Sequence, residues 1–151
     1  MIYLSSSSAR TRALGFRVGK ALVRRGTGRR ARTVLLHGEL GAGKTTFMQG
    51  LARGLGARGR AQSPTFVIVR RMPLIQGPFE NLFHIDAYRL SSRANLRTLG
   101  IKEFAQEPKN VLAVEWPKAI RAALPRDAFQ IRFTHGRTPA ERHIALPKNL
   151  R

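Results

Sequence analysis

The chain has 151 residues, with 28 lysines and arginines against eight acids, a net charge of +20 and no cysteine. That length suits one domain over 1–151 with a core of its own, and the missing cysteine excludes disulfides and thiolate metal sites, as suits a reducing cytoplasm. No apolar run approaches the roughly 20 residues a bilayer span requires, so no membrane segment is expected.

Met1 to Leu4 reads as a short edge strand and Ser5 to Ser8 as turn residues and N-caps. From Ala9 to about Arg25, Leu14, Val18, Ala21 and Leu22 recur every three or four residues, the pattern of an amphipathic helix. The first acid is Glu39, so the N-terminus has the Ser- and Arg-rich, acid-poor composition of a transit peptide. The arginine richness, however, does not stop where a presequence would. A basic turn, Gly26 to Arg32, leads into the buried strand Thr33-Val34-Leu35-Leu36.

The next stretch, Gly38-Glu39-Leu40-Gly41-Ala42-Gly43-Lys44-Thr45, fits G-x-x-x-x-G-K-[ST]. A helix follows, with Phe47, Leu51 and Leu55 on one face, and Gly54 to Arg60 forms a glycine-punctuated exit. Ser63-Pro64-Thr65-Phe66 runs into a strand over Val67-Ile68-Val69, and Arg70 to Gly77 is expected to be a hairpin connection. Leu82 to Tyr88 reads as a strand ending at a polar site, with His84, Asp86 and Tyr88 on one face at period two. Leu96, Leu99, Ile101 and Phe104 suggest short helical pieces broken at Gly100. Asn110 to Trp116 is a hydrophobic strand ending in a carboxylate, and Pro117 opens a short helix through about Ala123. Phe129 to Phe133 and Arg142 to Leu146 alternate as a C-terminal antiparallel pair. The fold class is therefore α/β, a P-loop NTPase-like sheet with helices on both faces.

The strand–loop–helix order explains the chemistry expected of the glycine-rich loop. Glycines let successive backbone N–H groups turn inward around phosphate oxygens, and the helix N-terminus adds partial positive charge. Gly38 to Thr46 is expected to line the phosphates of ATP, with Lys44 reaching the β- and γ-phosphates and Thr45 holding Mg²⁺. Hydrolysis also needs a carboxylate that holds metal or orients water. Glu115 follows four apolar residues, so it should emerge at a strand's C-terminal end beside the loop, where ligands of open α/β sheets bind. Asp86 also ends an apolar run; it either joins that chemistry or caps its own backbone. Thr65 resembles a switch threonine whose hydroxyl meets Mg²⁺ or the γ-phosphate.

GELGAGKTTF, SPTF, HIDAYRL and AVEWP, in this order and spacing, resemble the TsaE (YjeE) family of small bacterial P-loop ATPases. The resemblance covers roughly residues 10 to 147, including Leu99 to Phe104 and the closing strand with Arg142. It implies support of tRNA threonylcarbamoyladenosine formation together with TsaD and TsaB. It also implies that Asp86 and Glu115 are the acids required for hydrolysis, that Thr65 belongs to a switch-like loop, and that Trp116 lies beside the nucleotide. Which acid stands nearer the metal is open at this point. Between Tyr88 and Gly100 the family is typically acidic, whereas Ser91 to Arg97 here is basic. A small P-loop kinase would share the loop and the size, but needs an acceptor pocket and an arginine-bearing lid. A basic RNA-binding module with a residual nucleotide site is the non-enzymatic alternative. Arginines at 24, 25, 29, 30, 32, 58 and 60 are candidates for a face that contacts tRNA directly.

Overall fold

The computed structural model, which describes residues 1–58, 69–90 and 99–150, places all seven described strands in one sheet. In chain order they are β1 (Ile2–Ser5), β2 (Arg32–His37), β3 (Val69–Pro73), β4 (Asn81–Asp86), β5 (Asn110–Glu115), β6 (Phe129–His135) and β7 (Arg142–Ala145). The order across the sheet is β1-β7-β6-β2-β5-β4-β3. The four central strands β6, β2, β5 and β4 run parallel, and the pairs at both edges are antiparallel. Burial on both faces explains why β2 and β5 read as continuous apolar runs.

Side-chain alternation sorts those strands into two cores. Val34, Leu36, Leu82, Val111 and Ala113 face α1 (Ser8–Arg25) and α2 (Lys44–Leu55). Leu35, Phe83, Ile85, Leu112 and Val114 face α3 (Ile101–Gln106) and the 3₁₀ turn Pro117–Ala123. The same alternation puts Glu115, two residues beyond Ala113, on the α2 face; His84 and Asp86, two and four beyond Leu82, lie on that face too.

α1 begins at Ser7, whose hydroxyl accepts from the Arg10 N–H, and ends at Gly26 with φ 68. It packs on α2 backbone to backbone. A Cβ at Gly50 would stand 2.0 Å from the Arg12 carbonyl oxygen, one at Gly54 2.2 Å from that of Phe16, and one at Gly15 2.1 Å from that of Phe47. These glycines let α2 lie flat on α1, and so fix where α2 begins. Gly50→Ala should gain roughly 1 kcal/mol in helix propensity. It must also push backbone atoms apart, so a net loss of about 1–3 kcal/mol is expected as a lower urea midpoint. An unchanged midpoint would mean that the helices are not in this contact.

Several boundaries differ from the sequence reading. The strand expected over Val67 to Val69 has only Val69 among the described residues, and β3 continues to Pro73, so Arg70 to Pro73 are strand rather than connection. Pairing with Asn81 to Ile85 of β4 outweighs the turn signal of Pro73, which sits at the edge of the sheet where a missing N–H is tolerated. β4 stops at Asp86 because Ala87 leaves the strand to donate to the Glu115 carbonyl, and Tyr88 donates to the Asp86 side chain. Tyr88 is thereby exposed and leaves the face it was expected to share with His84. Gly54 to Arg58 of the expected glycine exit are described, with Gly56 ending α2 at φ 87. Ser63 to Phe66, including Thr65, and the basic stretch Ser91 to Arg97 lie outside the described residues, as does Leu96.

Candidate functional site

β2 ends at His37, and the chain turns back through Gly38 to Gly43 before α2 starts at Lys44. That turn needs glycine. Gly41 and Gly43 have φ 72 and 95, in the left-handed region that other side chains rarely adopt. At Gly38 a Cβ would lie 2.6 Å from the Phe133 carbonyl oxygen of β6. The resulting cradle is open: a Cβ at Gly41 or Gly43 would meet nothing closer than 3.7 Å. Glu39 and Leu40 are exposed at its tip, Ala42 is buried beneath it, and Thr46 is half-buried in the first turn of α2.

Lys44 is buried and curls back over the loop. Its Nζ donates to the carbonyls of Gly38 at 2.8 Å and Glu39 at 2.7 Å. The ammonium also sits 4.1 Å from the centre of the Trp116 ring, a cation–π contact. Burial lowers the Lys44 pKa, and the carboxylates of Glu115 and Asp86 oppose that shift.

Glu115 is 3% exposed, although it ends a strand. Thr45 Oγ1 stands 3.3 Å from both of its carboxylate oxygens. His84 Nε2 lies 2.9 Å from Oε1, and the histidine is itself fully buried, with Nδ1 unpartnered. The carboxylate opposite calls for a proton on Nε2, which the ring donates. Asp86 is Cα-paired with Glu115 across β4 and β5 but half-buried, and its Oδ1 accepts the Tyr88 N–H. The carboxylate in contact with Thr45 is therefore that of Glu115, while that of Asp86 caps its own turn.

Trp116 is the only non-glycine residue with positive φ among the described residues, at φ 57 and ψ 49. It precedes Pro117, and such a backbone costs about 1–3 kcal/mol. The Lys44 ammonium on its face and the Tyr88 ring 4.9 Å away pack against it. Beside Trp116 a cleft of about 740 Å³ opens along Gly38, Leu40, Lys118, Thr134 and His135. His37 lines it with a pKa lowered first by burial, then by Arg132, Lys118 and Arg121, against the raising effect of its bond to Gln130.

Two further residues join the site: Arg142, which the resemblance included without a role, and His135, which no motif points to. Arg142 of β7 donates through Nε and Nη2 to the Gly41 carbonyl at 3.2 and 3.0 Å, and through Nη1 to the carbonyls of Pro139 and Glu141. His135 Nε2 lies 3.3 Å from the Leu40 carbonyl. The closing strands thus grip the loop from outside. His84 had a signal in its period-two spacing from Asp86; Arg142 had only its place in the resembling closing strand and His135 had none, because a strand pair's register is not written in its residue types.

The residues fit a nucleotide triphosphate with Mg²⁺. No group of three or more His, Cys, Asp or Glu side chains could hold a metal among the described residues. Mg²⁺ needs none where phosphate oxygens and waters fill most positions, and one hydroxyl with one carboxylate completes the set. Thr45 and Glu115 are such a pair.

The family described as "Threonylcarbamoyl adenosine biosynthesis protein TsaE" matches residues 5–144. The tRNA threonylcarbamoyladenosine biosynthesis protein TsaE of Streptomyces coelicolor is 40% identical over 139 residues, 89% of this chain and 88% of that one. The protein of the same description from Bacillus subtilis is 40% identical over 96 residues, 64% of this chain and 57% of that one. The crystal structure of YdiB from B. subtilis superposes with a TM-score of 0.70 at 27% identity, covering 99% of this chain and 88% of that one. No helix among the described residues is long and apolar enough to cross a membrane.

Proposed function

This chain belongs to the TsaE family of threonylcarbamoyl adenosine biosynthesis proteins, and from that premise we propose that it binds Mg-ATP at the Gly38–Thr46 loop and hydrolyses it in support of tRNA threonylcarbamoyladenosine formation. The partners in that role are TsaD- and TsaB-like proteins, and the place is the cytoplasm. The observation that carries the reading is the meeting of Lys44, Thr45 and Glu115 at one end of β2 and β5.

The loop's N–H groups and the start of α2 receive the phosphates. Lys44 exchanges the Gly38 and Glu39 carbonyls for β- and γ-phosphate oxygens, a charge-assisted contact stronger than the ones it leaves. The base enters the cleft beside Trp116, where the ring, Pro117 and Leu40 supply apolar surface. Thr45 and Glu115, with Thr65 by the family resemblance, would hold Mg²⁺, which would supply charge neutralisation at the γ-phosphate. Glu115, held in place by His84, would orient the attacking water. Asp86 adds negative charge near Lys44 and fixes the turn that carries Tyr88. Hydrolysis resets the modifying complex rather than forming the bond to adenosine, so the output is conformational.

The single tryptophan reports on this proposal. Because Lys44 lies on the Trp116 face, a nucleotide that draws the ammonium toward phosphate changes the ring's surroundings. Intrinsic fluorescence should respond saturably to ADP and to Mg-ATP, and Trp116→Phe should abolish the signal. A flat titration, with binding established by calorimetry, would separate Trp116 and its cleft from the nucleotide.

A further inference from the structure

The candidate nucleotide site occupies the C-terminal ends of β2, β5 and β6; the opposite ends carry a second concavity that the ATP reading does not use. It is a cleft of about 530 Å³ between the turn at Gly28 to Thr33 and the loop at Leu124 to Phe129. β2 has six residues, so at about 3.3 Å each the cleft lies roughly 20 Å from the glycine-rich loop.

Both walls carry guanidinium groups: Arg29, Arg30 and Arg32 from the turn, and Arg126 from the loop. Asp127 is the one acid that lines it. Arg29, Arg30 and Arg126 are exposed and make no side-chain hydrogen bond or ion pair within the described residues. Two other arginines do the building. Arg32 donates to the carbonyls of Gly26 and Thr27, and Arg121 to those of Leu124, Pro125 and Arg126. Arg32 thereby braces the base of one wall, and Arg121 occupies the Leu124, Pro125 and Arg126 carbonyls of the other, which leaves the guanidinium groups of Arg29, Arg30 and Arg126 to face the cleft's ligand. Of the other arginines expected to form a face, Arg25 is turned onto Asn149 and the Phe129 ring, Arg24 and Arg58 are exposed outside the cleft, and Arg60 is outside the described residues.

We infer that this cleft binds the phosphodiester backbone of RNA, with Arg29, Arg30 and Arg126 as the phosphate contacts and Arg32 and Arg121 as the residues that hold the walls apart. Guanidinium pairs with phosphate bidentately and stays charged at every physiological pH. Cations on two facing walls suit a ligand that carries anions at intervals along a chain, as a phosphodiester backbone does. Naming that polyanion as RNA rests on the tRNA-modification role proposed above; the cleft's anion preference does not.

The test is binding of an unmodified tRNA transcript to the full chain at several salt concentrations. Arg29→Gln, Arg30→Gln and Arg126→Gln would be combined in one variant. A second variant, Arg10→Gln, Arg53→Gln and Lys102→Gln, removes the same charge from exposed positions elsewhere. All five arginines and the lysine are exposed, so both variants should melt with the parent. Each phosphate contact contributes about 0.7 to 0.9 to the log–log salt slope, so the cleft variant should flatten it by about 2 to 3 and weaken binding at least tenfold at moderate salt. The scattered variant should change both far less, and Mg-ATP affinity should be unmoved in either. Equal behaviour of the two variants, or no tRNA binding by the parent, would overturn the inference while leaving the ATP reading intact. Poly-glutamate titrated in parallel covers the other macromolecule: loss of its binding in the cleft variant with tRNA affinity unchanged would assign the cleft to an acidic protein and overturn the RNA assignment.

Discussion

Glu115→Gln should leave Mg-ATP affinity within a few-fold of the parent and lower partner-stimulated turnover on the order of 10²-fold or more. The carboxylate is buried, and three contacts fix it: two to Thr45 Oγ1 and one to His84 Nε2. Glutamine keeps the shape and one acceptor oxygen, so the fold and the phosphate cradle survive. It removes the negative charge that would hold the metal or polarise water, and that charge matters most in the hydrolytic step. Asp86→Asn is the instructive comparison. Its carboxylate is half-buried and already spent on the Tyr88 N–H, a bond that asparagine's oxygen can also accept. Its turnover should fall less than that of Glu115→Gln. Single-turnover phosphate release from both variants checks this, and the reverse order would exchange the roles of the two acids.

The second large effect is at Lys44. Lys44→Ala should weaken ATP binding on the order of 10- to 100-fold and abolish turnover. Each hydrogen bond to a charged group is worth about 1.5–3 kcal/mol, and about 1.4 kcal/mol corresponds to tenfold in affinity. The fold should tolerate the change. The Gly38 and Glu39 carbonyls lose an ammonium donor but lie at the rim of the loop, where water can replace it. Calorimetry of Mg-ATP with the parent and the variant reads the difference. Equal affinities would place the phosphates elsewhere and leave Lys44 as a brace of the loop.

The local elements were largely legible because each carries its own signal. Ser7 and Gly26 bound α1, Pro117 opens the 3₁₀ turn, and the apolar runs of β2 and β5 mark a two-sided parallel sheet. The glycine-rich turn before α2 was legible for the same reason, since one short stretch contains the whole of it. What could not be read depends on register and on contacts between distant segments. Parallel pairing of β4 with β5 puts His84 opposite Ala113, within reach of Glu115, and no spacing rule within either strand says so. The register of β7 against β6 brings Arg142 to the Gly41 carbonyl. The function of the glycines of α1 and α2 as a backbone-to-backbone seat appears only once the helices are packed. The choice between Asp86 and Glu115 was open for a related reason. Both end apolar strands, and only the position of Thr45 distinguishes them.

Lys44, Thr45 and Glu115 are proposed above as a working ATPase site within the threonylcarbamoyladenosine machinery. The measurement that tests it most directly is phosphate release from Mg-ATP by the parent chain, alone and with a matching TsaB–TsaD pair, beside Glu115→Gln under the same conditions. The expected result is slow release alone, clear stimulation by the pair, and loss of the stimulated rate in the variant. Release that is absent in every mixture, or stimulated equally in the parent and in Glu115→Gln, would contradict it.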